Sequence, residues 1–178
     1  MKKILKQNFF NRDAVIVAKD LLGKFLVRKI SGKEISSIIT ETEAYDGPND
    51  LASHASRGMT PRTEIMFGHP GYLYIYLCYG MHYMLNVVVR EKNYPAAILI
   101  RSVDKAIGPG KVTKLFKIDK KFNNKFASKK AKLWFENRGI KIEKNKIIKT
   151  PRIGVSYAGP IWSRKKYRFL IRQSDKMI

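Results

Sequence analysis

The stretch KFLVRKISGKEISSIITETEAY, residues 24–45, decides the fold because it contains two extended segments separated by a tight turn. Lys24–Ile30 and Glu34–Tyr45 are rich in the β-branched and aromatic residues that favour strands. Between them, residues 31–33 are Ser, Gly and Lys, a composition typical of a hairpin turn. The stretch therefore predicts a pair of antiparallel strands.

Three further segments downstream of this hairpin also have strand character: Tyr72–Leu77, Tyr83–Val89 and Ala96–Val103. Several short strands separated by turn residues favour antiparallel pairing. We therefore predict an α+β fold in which residues 1–178 form a single compact domain. Its main element would be an antiparallel, curved β-sheet flanked by α-helices.

Helical and irregular segments surround these strands. Asp13–Leu22 carries an apolar stripe at helical spacing, Gly108–Ile118 opens with a helix-start pattern, and Lys129–Asn137 is predicted to be a second basic helix. Residues 46–70 are rich in glycine and proline and are predicted to form a long loop, a kind of segment that is usually functional. Residues 141–149 show no clear pattern, which predicts a surface loop.

The chain is strongly basic, with 36 Lys and Arg against 14 Asp and Glu and a formal net charge of +22. The excess is uneven, because residues 1–104 contain 14 basic and 10 acidic residues whereas residues 105–178 contain 22 and 4. A surface of this charge concentrates polyanions. We therefore expect a nucleic acid as partner and a phosphate-binding face in the second segment. An AT-rich genome or a need for solubility would produce a similar composition.

The sequence gives little support to a metal site or a membrane segment. Cys78 is the single cysteine, and His54, His69 and His82 lack the spacing of a metal-binding helix. We therefore expect no metal and no cofactor. The longest apolar runs fall far short of the roughly 20 residues that cross a bilayer, so we expect a soluble, intracellular protein without membrane partners.

Two carboxylates and an aromatic residue share one face at the end of the long predicted strand. Side chains two positions apart on a strand point the same way, which makes Glu41, Glu43 and Tyr45 neighbours. Carboxylates about 6 to 7 Å apart can carry out general acid/base chemistry or bind a divalent cation, and the ring can hold a flat substrate. The competing interpretation is a solvated strand face.

Tyrosine alternates with aliphatic residues in the following strand, where Tyr72, Tyr74 and Tyr76 share one face. Such a face is usually core or interface, but beside a basic surface it favours stacking on nucleobases. Gly80 predicts a tight turn after this strand, which would expose Tyr79 at its tip.

Arg101 follows the apolar run Ala96–Ile100, so a cation ends a strand that is expected to be buried. An arginine in such a place normally pairs with a carboxylate, and Glu43 is an available partner. The alternative is an arginine exposed at the end of the strand.

Together these segments resemble the alkyladenine (3-methyladenine) DNA glycosylase family. The similarity runs from Phe9 to about Arg172, which is nearly the whole chain. It rests on an ordered set of stretches: Glu41–Tyr45 with Gly47 and Pro48, His54, Thr60–Arg62 with Met66 and Phe67, Gly71–Asn86, Leu99–Arg101, Gly108–Lys111 and Arg152–Gly159. Each stretch alone is weak evidence, whereas the ordered set is specific.

The resemblance implies that Glu43 is the general base that deprotonates the attacking water. It also implies that Arg101 and the backbone carbonyl of Val155 help to hold that water. These three residues are therefore the expected catalytic set.

The resemblance further assigns the residues that hold the base and open the duplex. Tyr45, His54 and Tyr76 match the walls of the base pocket, and Asn86 matches the residue that excludes normal guanine by crowding its exocyclic amine. Tyr79 matches the wedge that intercalates into DNA.

Four more residues are expected to contact DNA: Met81 and His82 beside the wedge in the minor groove, with Arg62 and Lys111. The chain departs from the family pattern at two of these places. Thr63 follows Arg62 where relatives commonly have asparagine, and His82 replaces an aromatic residue found in some members. Substrate breadth is therefore left open.

The implied function is that of a monofunctional glycosylase in base excision repair. It would flip 3-methyladenine, 7-methylguanine, hypoxanthine or ethenoadenine out of double-stranded DNA and hydrolyse the N-glycosidic bond, leaving an abasic site. No lysine lies in the core of the motifs, so Schiff-base chemistry and strand cleavage are not expected. A neutral purine would need a proton to leave, and His54 is a candidate donor.

We expect a monomer in a bacterial cytoplasm, associated with the nucleoid.

Two other functions stay open at this point. The charge and the tyrosines would also suit a basic RNA-binding protein without catalysis. Glu41 and Glu43 would also suit a metal-dependent nuclease.

Overall fold

The computed structural model describes residues 2–172. Its strands are β1 (Lys3–Ile4), β2 (Phe25–Ile30), β3 (Lys33–Asp46), β4 (Leu73–Cys78), β5 (His82–Val88), β6 (Ala96–Val103), β7 (Ala106–Ile107), β8 (Leu133–Asn137), β9 (Ile147–Thr150) and β10 (Arg168–Ile171). Its α-helices are α1 (Gln7–Phe10), α2 (Ala14–Asp20), α3 (Pro109–Leu115) and α4 (Gly159–Arg164).

The strands form one antiparallel sheet in the order β1-β8-β2-β3-β6-β5-β4. In addition, β10 pairs with both β3 and β9, and β7 pairs with β6. The predicted α+β fold with a mainly antiparallel sheet is confirmed, and so is the hairpin of β2 and β3 that the sequence opens on.

Strand β3 is the centre of the sheet, with 14 residues and three partners. Its first half pairs with β2, and its second half pairs with β6 on one edge and β10 on the other. The register against β6 shifts at Glu41. A β-bulge of this kind bends a strand and redirects the side chains beside it.

The hydrophobic core lies between the sheet and the helices α2 and α3. Helix α2 begins at the N-cap Asp13, whose carboxylate accepts a hydrogen bond of 3.0 Å from the Ile16 amide. The predicted helix within Asp13–Leu22 is therefore confirmed, and α3 lies within the predicted Gly108–Ile118. From the sheet side, Ile98 and Ile100 are buried in the same core.

The predicted helix Lys129–Asn137 is wrong. Residues 129–132 form a turn in which Lys132 has a φ of +59°, and the rest is strand β8 between β1 and β2. Leu133, Trp134 and Phe135 are all buried, so this strand is covered on both faces. An apolar run of this kind lacks the alternation that marks a half-buried strand.

The predicted loop at residues 141–149 is also wrong in its second part. Strand β9 begins there at Ile147 and pairs with β10, with Ile148 opposite Leu170. The partner strand is distant in the sequence, so no local pattern reveals the pairing. Strand β10 itself, which reaches β3 at Glu43, had no sequence prediction.

Candidate active site

A cavity of about 450 Å³ opens on the face of the sheet that α2 and α3 leave free. Successive residues of β6 point to opposite faces, as strand geometry requires. Ala97, Leu99 and Arg101 line the cavity, whereas Ile98 and Ile100 face the core. The same strand thus supplies both the core and the cavity wall.

Two segments outside the sheet close the cavity: the loop 46–70 and residues 152–158, here called the cover segment. Ser53 and His54 line it from the loop, and Gly154 and Tyr157 line it from the cover segment. Tyr157 joins the two, because its hydroxyl donates a 3.0 Å hydrogen bond to the Ala52 carbonyl. The expected long loop is therefore part of the cavity.

Glu43 is the buried carboxylate of this cavity, with no exposed surface. Its Oε1 accepts a 2.8 Å hydrogen bond from the backbone amide of Ile153, and its Oε2 accepts one of 2.8 Å from the Tyr45 hydroxyl. Burial raises the pKa of Glu43, while Arg101, the Ile153 amide and the Tyr45 hydroxyl act in the opposite direction and Glu41 raises it further. Burial is the largest of these effects, so the pKa of Glu43 lies above the usual value for a glutamate.

Arg101 reaches Glu43 because of the irregular pairing of β3 and β6. Glu41 pairs with Ser102 and Thr42 with Ile100, so Arg101 lies between paired positions. Its guanidinium points to the face that carries both carboxylates of β3: Nη1 lies 3.4 Å from Glu43 Oε1. The predicted pairing of Arg101 with a carboxylate is present in the structure.

Glu41 fixes the orientation of Arg101. The carboxylate of Glu41 accepts hydrogen bonds from Arg101 Nε at 3.1 Å, Ser102 Oγ at 2.6 Å and Arg168 Nε at 2.7 Å. Arg101 and Glu41 are only 13% and 12% exposed, so solvent screens this pair weakly. Strand β10 contributes Arg168, which sequence reasoning missed because the pairing of β10 with β3 is non-local.

Tyr45 lies beside Glu43, as the spacing of two residues on a strand predicts. Its ring is covered by the guanidinium of Arg152, whose Cζ lies 4.8 Å from the ring centroid. Burial and the adjacent Glu43 raise the pKa of Tyr45, so its hydroxyl stays protonated and can donate. Glu43 thus accepts a hydrogen bond from a protonated hydroxyl on its own strand.

Three aromatic rings form the opposite wall of the cavity. His54 and Tyr76 pack edge to face with centroids 4.7 Å apart, and His54 Nδ1 lies 3.1 Å from the Tyr74 hydroxyl. Burial, with a smaller contribution from Arg62, lowers the pKa of His54 to about 4. The ring is therefore neutral at pH 7, which argues against His54 as a proton donor at that pH.

Asn86 lies on β5 at the same wall and is 3% exposed. Its Nδ2 donates to the backbone carbonyl of Tyr74 across the hairpin at 3.1 Å. This hydrogen bond orients the side chain where it lines the cavity. Of the other predicted pocket residues, Tyr45, His54 and Tyr76 also line this cavity.

Arg62 lies at the rim of the cavity with its guanidinium over Tyr76, 5.2 Å from the ring centroid. It is an exposed residue of the loop 46–70. The Arg62 guanidinium is therefore separate from the network of ion pairs that joins Arg101 to Glu41 and Glu43.

The turn between β4 and β5 projects Tyr79 into solvent at the cavity mouth. Tyr79 is 89% exposed and Met81 is 71% exposed. Tyr79 and Gly80 both have left-handed backbone, with φ of +50° and +68°. A non-glycine residue in that region is strained by about 1–2 kcal/mol, so the exposed tyrosine is held at the tip at a cost.

His82 and Lys111 lie at the base of that turn and on α3. A Cβ atom on Gly110 would be 2.8 Å from His82 Cγ, so the first turn of α3 packs directly against the histidine ring. Lys111 follows immediately and is exposed. The residues expected to flank the wedge and contact DNA therefore lie close to one another.

Val155 belongs to the cover segment and is 4% exposed within the cavity lining. Its carbonyl accepts a 3.0 Å hydrogen bond from the Ala158 amide. A carbonyl oxygen has two lone pairs, so it can accept a second hydrogen bond from a water molecule.

A buried ion pair that sequence reasoning missed holds the cover segment in place. The Arg152 guanidinium donates to both carboxylate oxygens of Asp50, with Nη2 at 2.8 Å from Oδ1, and to the Ala44 carbonyl at 2.9 Å. Both side chains of this pair have no exposed surface. Asp50 also accepts from the amides of Asp46 and Ala52. One ion pair thus links the loop, β3 and the cover segment.

Residues 2–172 contain neither a metal-binding cluster nor a membrane-spanning helix. Among residues 2–172, no three His, Cys, Asp or Glu side chains cluster so that they could hold a metal ion. No helix within that range is long and apolar enough to span a membrane.

Comparison with known proteins finds close relatives over almost the full length. A protein of Legionella pneumophila strain Paris is 41% identical over 98% of this chain and 97% of its own length. A protein of Ehrlichia chaffeensis is 42% identical over 94% of this chain and 93% of its own length. A protein of Borreliella burgdorferi is 44% identical over 93% of this chain and 95% of its own length. All three carry the name "Putative 3-methyladenine DNA glycosylase".

These relatives and a matching family model indicate a DNA glycosylase, a class of enzyme that acts in base excision repair. The family model described as methylpurine-DNA glycosylase matches residues 8–107 and 102–175. The chain belongs to the methylpurine-DNA glycosylase family.

Proposed function

We propose that this protein is a monofunctional glycosylase that releases damaged purines from double-stranded DNA by a water molecule activated by Glu43. The observation that supports this most directly is the placement of Glu43. It is a fully buried carboxylate at an aromatic cavity, fixed by Ile153, Tyr45 and Arg101. A flat base fits between aromatic walls, and an ionised carboxylate suits a reaction whose transition state resembles an oxocarbenium ion.

In the proposed reaction, the oxygen of water bonds to C1′ of the deoxyribose while the C1′–N9 bond breaks. The electron pair of that bond leaves with the purine, and a proton of the water passes to Glu43. Arg101 and the Val155 carbonyl hold the water. General-base catalysis of this kind contributes about 10²- to 10⁴-fold to the rate.

Duplex DNA hides the bond that is broken, so the damaged nucleotide must be flipped into the cavity at a cost of a few kcal/mol. Tyr79 fills the space that the base leaves, since it is the most exposed aromatic residue at the cavity mouth. Met81 and His82 follow it in the chain, and Lys111 lies on α3, whose first turn packs against His82; these three residues contact the backbone and minor groove. The basic excess of residues 105–178 supplies affinity for phosphates without reading sequence.

Asn86 provides discrimination inside the cavity. Its Nδ2 donates to the Tyr74 carbonyl, which orients the side chain so that it crowds an exocyclic amine at the base edge. Hypoxanthine lacks that amine and is therefore accepted without crowding. Guanine and 7-methylguanine both carry it and are disfavoured, but the cationic base of 7-methylguanine is a good leaving group and is still released, whereas normal guanine is not. Stacking between Tyr45, Tyr76 and His54 adds about 1–3 kcal/mol per contact.

The experiment is base release from a duplex oligonucleotide containing hypoxanthine or 7-methylguanine, with and without EDTA. We expect the free base and an intact abasic strand in both conditions. Strand scission that requires Mg²⁺ would instead identify a nuclease. Tight binding to structured RNA without base release would identify an RNA-binding protein.

A further inference from the structure

We propose that Arg62 makes the cavity select by charge, favouring neutral damaged purines over cationic alkylated ones. The inference rests on the proposed glycosylase function and adds a substrate preference to it. It starts from the position of Arg62, whose guanidinium lies 5.2 Å from the centroid of Tyr76 at the cavity rim.

The charges that line the cavity are unequal. Glu43 is the carboxylate among its lining residues, whereas Arg62 and Arg101 both contribute guanidinium groups. Arg101 is neutralised by hydrogen bonds and ion pairs to Glu41 and Glu43. Within residues 2–172, no salt bridge joins Arg62 to a carboxylate. Arg62 therefore adds an unbalanced positive charge next to a wall on which the base would stack.

The remaining titratable wall residues do not offset this charge. His54 is neutral at pH 7, since its pKa is lowered to about 4 by burial and by Arg62 itself. Burial raises the pKa of Tyr74 and Tyr76, so both stay protonated and uncharged. A cation on a purine that enters the cavity would thus meet Arg62 without a compensating anion on that wall.

Arg62 affects the entry of a base and its departure differently. A 7-methylguanine base carries a positive charge when it enters, so Arg62 repels it, whereas hypoxanthine enters without a charge. When the C1′–N9 bond breaks, each base gains one negative charge: 7-methylguanine becomes neutral and hypoxanthine becomes an anion. Arg62 therefore assists the bond-breaking step for both substrates and penalises binding only for the cationic one.

This division predicts a kinetic pattern that a structural role would not produce. In Arg62→Gln, the maximal single-turnover rate falls for both substrates. The enzyme concentration that gives half of the maximal rate reports binding. It falls for the 7-methylguanine duplex, because the repulsion of the cationic base is removed, when compared with the same concentration for the hypoxanthine duplex. From the Coulomb energy of charges about 8 Å apart, at an effective dielectric constant between about 20 and 80, we expect the preference for hypoxanthine over 7-methylguanine, taken as the ratio of these two concentrations, to fall roughly three- to thirtyfold.

The test measures single-turnover base release from matched duplexes with hypoxanthine or 7-methylguanine, for wild type, Arg62→Gln, Arg62→Lys and Arg57→Gln. Arg57 is an exposed arginine of the same loop that does not line the cavity, so its variant controls for the general loss of DNA affinity. Arg62→Lys keeps the charge and is expected to keep the preference.

The expected result is a reduced hypoxanthine preference in Arg62→Gln alone, with a thermal unfolding curve like that of wild type. An unchanged preference in Arg62→Gln, or an equal change in Arg57→Gln, would overturn the inference and leave the proposed function intact. Absence of base release by wild type from both duplexes would overturn the proposed function and the inference with it, whereas release from the 7-methylguanine duplex alone would overturn only the inference.

Discussion

The backbone amide of Ile153 donates a 2.8 Å hydrogen bond to the carboxylate of Glu43, although the two residues are 110 positions apart. The contact ties the cover segment to the central strand β3 directly at the buried carboxylate. It is also one of the groups that favour the ionised form of Glu43 against the cost of burial. The candidate base is therefore prepared by a distant part of the chain.

The two neighbours of Glu43 in the charge network are expected to shift its titration in opposite directions. A general base acts when deprotonated, so activity rises as pH increases through the pKa of Glu43. Arg101 lowers that pKa, so Arg101→Gln should move the acidic limb of the pH–rate profile to higher pH. Glu41 raises it, so Glu41→Gln should move the limb to lower pH.

Single-turnover excision rates measured across the acidic range check both shifts. We also expect the maximal rate of Arg101→Gln to fall on the order of 10²-fold, as for the loss of one charge-stabilising donor. Identical profiles for wild type and both variants would remove Glu43 as the group that titrates.

The buried pair of Asp50 and Arg152 is expected to stabilise the fold strongly. Asp50→Asn would leave the Arg152 charge buried without its partner, which costs about 3–5 kcal/mol. Urea unfolding measures this loss. Asp20→Asn is the matched control, because Asp20 pairs with Arg12 at the surface, where a salt bridge is worth about 0–1 kcal/mol. Equal effects of the two variants would contradict the account.

Tyr79→Ala is expected to weaken binding to a lesion-containing duplex about tenfold or more, at about 1–3 kcal/mol per stacked base. Binding to single strands should change far less, because the wedge has a gap to fill only in a duplex. Fluorescence anisotropy with both DNAs checks this. Ile161→Ala, which removes an exposed apolar side chain away from the cavity, should change neither affinity. Equal losses of Tyr79→Ala on both DNAs would argue against intercalation.

Lys111→Ala is expected to weaken binding to all duplexes alike and to reduce the salt dependence of affinity. The slope of log K against log salt should decrease by about 0.9 if one phosphate contact is lost. Lys33→Ala, at the exposed first residue of β3, serves as the control and should leave the slope unchanged. A loss of affinity for damaged DNA alone would contradict a phosphate contact.

The sequence predicts those parts of the site that depend on local geometry. Glu41, Glu43 and Tyr45 follow from alternation on one strand, and the exposure of Tyr79 follows from Gly80 in a turn. Arg101 follows less directly, because its direction depends on the register shift opposite Glu41. The predictions on β3 and at Tyr79 need only the neighbours of the residue in the chain, whereas the direction of Arg101 also needs the pairing of β3 with β6.

The errors and omissions concern contacts between distant segments. The sequence predicts a helix in place of β8 and a loop in place of β9, because both strands pair with segments distant in the chain: β8 with β1 and β2, and β9 with β10. For the same reason, neither the Ile153 amide nor the Asp50–Arg152 pair has a sequence signal of its own. A buried ion pair looks in the sequence like two ordinary polar residues, and only the fold brings them together.

The proposed role of Glu43 is tested most directly by Glu43→Gln, assayed under single-turnover conditions on a hypoxanthine duplex alongside a binding measurement. Glutamine keeps the shape of the side chain but cannot accept a proton from water. We predict that DNA binding is retained while base release falls by at least about 10²-fold. Base release at the wild-type rate would contradict the assignment of Glu43 as the general base.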